Sequence, residues 1–192
     1  MKPKLPLDSP IALINQDPSD FELIDMDGLK KKIIKKQNKW NTISLSQVVE
    51  DGIWEMESEF SNDNYAAIGI VRDSHNLVVG YSASENLNNQ HTIVLYNQSW
   101  SRGNVRCKGN DKPGNTGFRG NQKVKQQFDS VKGTLIFFID GIQQPVYIAG
   151  IKEKIRFIVC WHHADQSCII HSLKKLAEPT TSHVANEKAV QW

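Results

Sequence analysis

The chain has 192 residues, 39% hydrophobic and 23% charged, which suits one well-buried domain with tails and excludes a mainly disordered or fibrous protein. Its 23 Lys and Arg against 21 Asp and Glu leave a formal charge of only +2, so no global field points to nucleic acid or anionic lipid. No run reaches the roughly 18 apolar residues of a membrane helix, and the opening MKPKLPLDSP lacks the apolar stretch that directs secretion.

Residues 1–20 carry Pro3, Pro6, Pro10 and Pro18 and read as a flexible tail, or as a linker to another domain in a longer parent protein. Between Leu29 and Lys39, Ile33 and Ile34 sit side by side among lysines, so no helical stripe forms, and lysine-rich strands are a usual way to blunt a sheet edge. From there the period is two. In GIWEMESEF (52–60), Trp54, Met56 and Phe60 share one face while Glu55, Glu57 and Glu59 share the other, as a half-buried strand requires. Further strands are predicted over 66–72, 77–81, 92–97, 123–128, 133–140, 145–149, 154–161 and 167–173. Asp140-Gly141 is a two-residue hairpin signal, Ser130 to Gly133 closes another turn, and GNDKPGNTGFRG (109–120) reads as a long rim loop. Residues 177–192 lack period and bulk and read as a second flexible tail. Many short strands without helices predict an all-β, antiparallel two-sheet sandwich over 21–176, with function on the rim loops.

The residues also resemble a known family. WNTISLSQVVEDGIWEMESEF (40–60) followed by AIGIVR (67–72) resembles the SPRY pattern, in which a G-x-W-x-x-E strand precedes a G-V strand. FDSVKGTLIFFIDGIQQPVYIAGI (128–151) resembles the SPRY hairpin D-x-x-x-G-T-L-x-F-F-x-N-G and the P-x-Y strand after it, and KIRFIVCW with SCIIHSLKKL resembles the closing strands. The likeness spans about 130 to 150 residues, with few landmarks between Ser82 and Gly120 and with Asp140 where the family often has Asn. It implies a concanavalin A-like sandwich and a non-catalytic, adaptor-like module that binds a peptide or protein through rim loops around the end of the AIGIVR strand, without a cofactor.

Candidate anchors follow from the requirement for aromatic or arginine side chains on neighbouring loops. They are Arg72, Asp73, Tyr81, Asn97, Trp100, Arg102, Trp161 and His162, with His163 beside the last; Trp40 and Trp54 are assigned to packing. An alternative is a carbohydrate-binding or glycoside-hydrolase-like sandwich using Glu55, Glu57 and Glu59. Residues two apart on a strand lie roughly 6.6 Å apart and four apart roughly 13 Å, whereas a retaining pair needs about 5 to 5.5 Å, so a solvated acidic face is the simpler reading. Cys160, His162, His163, Asp165, Cys168 and His171 are crowded. If 162–166 closes a hairpin, however, Cys160 faces Cys168 while His171 points away, so no metal site is expected. Arg102, Arg106, Lys108, Lys112 and Arg119 are not read as a nucleic-acid patch, and no phosphate-loop or nucleophile-elbow motif occurs. Cys107, Cys160 and Cys168 cannot all pair within one chain, which favours a reducing, intracellular and cytoplasmic setting; the Asn97-Gln98-Ser99 sequon carries weight only in a secretory one.

Overall fold

The structure, a computed structural model, describes residues 6–192. Its strands are β1 (Leu7–Asp8), β2 (Leu13–Ile14), β3 (Phe21–Asp25), β4 (Lys31–Lys35), β5 (Asn41–Leu45), β6 (Ile53–Phe60), β7 (Ala66–Arg72) and β8 (Thr92–Tyr96). The one-turn helix α1 (Gln98–Ser101) follows, then β9 (Val105–Cys107), β10 (Asn110–Lys112), β11 (Lys123–Asp129), β12 (Thr134–Ile139), β13 (Ile142–Gln143), β14 (Val146–Ala149), β15 (Ile155–Trp161), β16 (Ser167–Leu176) and β17 (Lys188–Gln191). One sheet runs β17-β14-β12-β11-β6-β16-β4-β3, with β1 on β16 and β13 on β12; the other runs β10-β9-β8-β7-β15-β5-β2. All pairings between these strands are antiparallel except the parallel docking of β17 on β14. The two-sheet sandwich expected from alternation is what forms.

Alternation explains the core. From β6, Trp54, Met56 and Phe60 enter the space between the sheets, where they meet Phe128 and Phe137 from their own sheet and Phe157, Val159 and Trp161 from β15. A second apolar layer lies on the other face of the β7–β15 sheet. There Ala67, Val71, Val94, Ile158 and Cys160 are covered by Leu77 and Ala83. Having both faces covered, β15 is buried at every position. The covering segment, 73–91, is not the strand expected at 77–81. Thr92 donates its hydroxyl to the Ala83 carbonyl (2.6 Å), while the Asn88 amide bonds Val78 N (2.9 Å) and Ser82 O (3.1 Å), so side chains satisfy a backbone that no ladder reaches. Gly69 permits the close approach of β7 and β8, since a Cβ there would lie 1.8 Å from the Ile93 carbonyl oxygen.

The hairpin reading at Asp140-Gly141 holds: both residues have positive φ (47° and 80°), and the turn joins β12 to β13. Other expectations need correction. The lysine-rich 29–39 segment contains β4, which is an interior strand between β16 and β3, and it points Lys35 inward beside the fully buried Ile33. The flanks are not free tails: β1 pairs with β16, Ile11 is buried, β2 pairs with β5, and β17 inserts Val190 beside the core. Of the first flank, residues 1–5, including Pro3, lie outside the described residues.

Candidate functional site: an aromatic rim

Register brings the site together. Trp161 at the end of β15 pairs with both Asn41 and Ala66, and Ala67 pairs with Tyr96. The residues just beyond those strand ends, Trp40, Tyr65, His162 and the α1 residue Trp100, therefore share one rim. Their rings touch: Trp40 lies 4.3 Å from Trp100, 5.2 Å from His162 and 6.4 Å from Tyr65, and His163 lies 6.1 Å from Tyr65. Trp100 leans on Tyr96 at 4.4 Å. Tyr65 is 44% exposed, and Trp40, Trp100, His162 and His163 are half-buried, so one side of the cluster faces water. Trp40, assigned to packing from the sequence, is instead a rim residue with its inner edge on the second apolar layer.

The cluster is held from below by polar groups. Asn97 caps α1 by accepting from Trp100 N (3.0 Å) and donates to the Asn64 carbonyl (2.7 Å), which fixes Trp100 relative to Tyr65. Gln166 donates to the Asn62 and Asn64 carbonyls (3.1 and 3.0 Å), and Lys39 N donates to the His162 carbonyl (3.1 Å). Deeper still, the fully buried Lys35 is ion-paired with the fully buried Asp20, which also accepts from Gln37 N and the Asn41 amide. Asp17 accepts from Lys39 (2.7 Å) and Asn41 (3.0 Å). The hydrogen bond from Lys39 holds the Asp17 carboxyl down at about 2. Burial lowers the pKa of Lys35, and burial with the neighbouring His163 lowers that of His162.

The expected anchors divide. Trp100 and His162 are in the cluster, and the exposed Arg102 follows α1 as its left-handed C-cap at φ 51°. Tyr81, 43% exposed, belongs to the covering segment, whose Gly80 N reaches Asn41 Oδ1 at 3.5 Å. Trp161 is not a rim group: it is fully buried between Phe21 and Phe60, with its indole N-H on the Gln166 carbonyl at 3.1 Å. Asn97 is also buried and spends its amide on capping. Arg72 and Asp73 lie at the opposite rim, since the six steps along β7 from Ala66 cover about 20 Å. There Arg72 sits 3.6 Å from Glu153 and 5.1 Å from the Trp192 ring, and Asp73 is ion-paired with Arg156 at 3.2 Å. Reading the sequence missed Tyr65, although its signal was available: like Trp40 and His162, it directly adjoins a strand end.

The other constellations resolve into structure. Each acid of β6 is matched by a base from a neighbouring strand: Glu55 with Lys125 (3.1 Å), Glu57 with Lys123 (3.6 Å) and Glu59 with His171 (2.9 Å). Such cross-strand pairs stabilise an outer sheet face. Cys160 and Cys168 are not opposed across a hairpin, because the 162–166 connection crosses between sheets and leaves Cys160 in the second apolar layer and Cys168 in the main core. Burial pushes the Cys160 thiol up to about 11 and that of Cys168 higher. Among the described residues, no group of three or more His, Cys, Asp or Glu side chains is gathered as for a metal ion. No described helix is long and apolar enough to cross a membrane.

No family model matches this sequence, and it matches no curated protein. Its architecture nonetheless defines a class, the two-sheet sandwich of concanavalin A type, and within that class solved SPRY domains superpose on it. The SPRY domain of human HERC1 is 10% identical, with a TM-score of 0.58 over 85% of this chain and 99% of that one. The TRIM65 PSpry domain is 12% identical, with a TM-score of 0.62 over 84% of this chain and 89% of that one. Stonustoxin is 15% identical, with a TM-score of 0.57 over 84% of this chain but only 27% of its own length. The chain has the SPRY fold.

Proposed function

We propose that the chain is a non-catalytic interaction module that takes a peptide or protein segment on the rim formed by Trp40, Tyr65, Trp100, His162 and His163. The observation that carries this reading is the half-exposed cluster itself. Five rings from four separate segments converge on the ends of rigid central strands, where solvent would otherwise favour short polar loops. Trp and Tyr anchors of this kind supply most of the binding energy of small interfaces, and a few of them give affinities near micromolar, about 8 kcal/mol. The likeness to SPRY domains agrees with a binding role. An intracellular setting, with the chain tethered to further domains as an adaptor, fits the three free thiols.

The test separates the two rims. Full-length chain is immobilised, proteins are captured from host lysate, and Tyr65→Ala, Trp100→Ala and Arg72→Ala variants of equal melting temperature are compared. Capture should fall at least about tenfold with Trp100→Ala, the loss of a strong interface anchor, and stay within about twofold with Arg72→Ala. The reverse pattern would move the site to the Arg72 end. The alternative acidic-strand chemistry predicts retention on a glycan array or reducing-sugar release that Glu55→Gln abolishes and Trp100→Ala does not.

A further inference from the structure

Beside Trp100 the surface dips into a recess of about 210 Å³, lined among others by Ser84, Glu85, Tyr96, Arg106 and Asp111. Its walls differ from the rest of the rim. Trp100 and Tyr96, inclined at 57° to each other, form an aromatic corner. Arg106 is held by Asp111 at 2.9 Å, while the exposed Glu85 forms no ion pair among the described residues. Two carboxylates against one guanidinium leave the recess with a net charge of minus one. Burial raises the Tyr96 phenol to about 12, so it adds no charge at neutral pH.

We propose that this recess receives an arginine side chain of the bound segment, so that the partner is a basic, arginine-bearing peptide rather than an acidic or purely apolar one. This rests on the reading of the aromatic rim as the binding surface and specifies what that surface selects. A guanidinium is planar, weakly hydrated and five-fold donating, so it packs against the Trp100–Tyr96 corner while its edge donates to Glu85 and Asp111; the flanking residues of the peptide cover Trp40 and Tyr65. An acidic side chain entering the same recess would meet the free carboxylate of Glu85, and the Arg106 charge that would attract it is already opposed by Asp111, although its Nε has no hydrogen-bond partner among the described residues.

The experiment uses the full chain and three fluorescein-labelled degenerate nonapeptide pools that differ only in a fixed central Arg, Leu or Glu, read by fluorescence polarisation. The Arg pool should bind at least about tenfold more tightly than the Glu pool, and the advantage should shrink from 50 to 500 mM salt. Glu85→Lys, a surface change, should abolish that advantage without altering the melting temperature, and Glu85→Asp should keep most of it. Equal binding of the Arg and Leu pools, lost in Trp100→Ala, would overturn the arginine assignment and leave the rim as the binding surface. Arg-pool binding that survives both Glu85→Lys and Trp100→Ala would overturn the location. Binding of no pool would overturn both.

Discussion

Two tryptophans sixty-one positions apart in sequence show how side-chain environment sets role. Trp161 is sealed between Phe21 and Phe60, whereas Trp100, packed against Trp40 and Tyr96, is only half-buried. Trp161→Ala should therefore cost about 3 to 5 kcal/mol in urea unfolding, and Tyr65→Ala within about 0.5 kcal/mol, while only the latter should weaken partner capture in soluble protein. Sequence alternation placed Trp161 at a strand end correctly, but it could not say whether that last residue points into the core. The answer depends on Phe21 arriving from a different strand pair. Lys35 carries a second lesson. Read as one more surface lysine, it is the buried partner of Asp20, a contact set by a residue fifteen positions away. Asp20→Ala, which strands a buried ammonium, should destabilise by about 3 to 5 kcal/mol, whereas the double change Asp20→Leu with Lys35→Met should recover most of that loss.

At the level of elements, hairpins were legible and long-range pairings were not. Asp140-Gly141 states its turn locally through two positive-φ residues. The 162–166 connection, by contrast, looks like a hairpin loop in sequence yet carries the chain from one sheet to the other, a choice made by the strands on either side rather than by its own residues. The flanks were illegible for a similar reason: β1, β2 and β17 are two to four residues long, too short to show a period, and exist only because a sheet awaits them. The first flank has a practical consequence. A truncation beginning at residue 21, where composition alone would place the boundary, removes Asp17 and Asp20 and leaves Lys35 and Lys39 without their carboxylates. That protein should lose at least about 3 kcal/mol relative to one beginning at residue 6, checked by thermal melts of the two.

For the molecule as a whole, acid should act in two stages. The folded-state pKa of His162 lies below its ordinary 6.5, so as pH falls through that value the unfolded chain takes up a proton that the native chain refuses, and stability declines. The Asp17 carboxyl titrates at about 2 when folded against 3.8 otherwise, so its contribution is intact above pH 4 and is lost as pH falls toward 2. Screening at this partly accessible site limits that second stage to about 1 kcal/mol. Urea midpoints measured from pH 8 to 2 should fall in both windows. His162→Phe should flatten the first and Asp17→Asn the second.

Strand β15, enclosed on both faces and flanked by β5 and β7, also has a bearing on how the protein breathes. Its amides, with those of β7, should be the last to exchange with deuterium, opening only when the whole chain unfolds, while β1, β2 and β17 trade hydrogens through local fraying. The ring-bearing residues 65 and 162 are attached directly to those slowest strands. Fluctuation at the edges can thus come and go without disturbing the spacing on which a partner would rely.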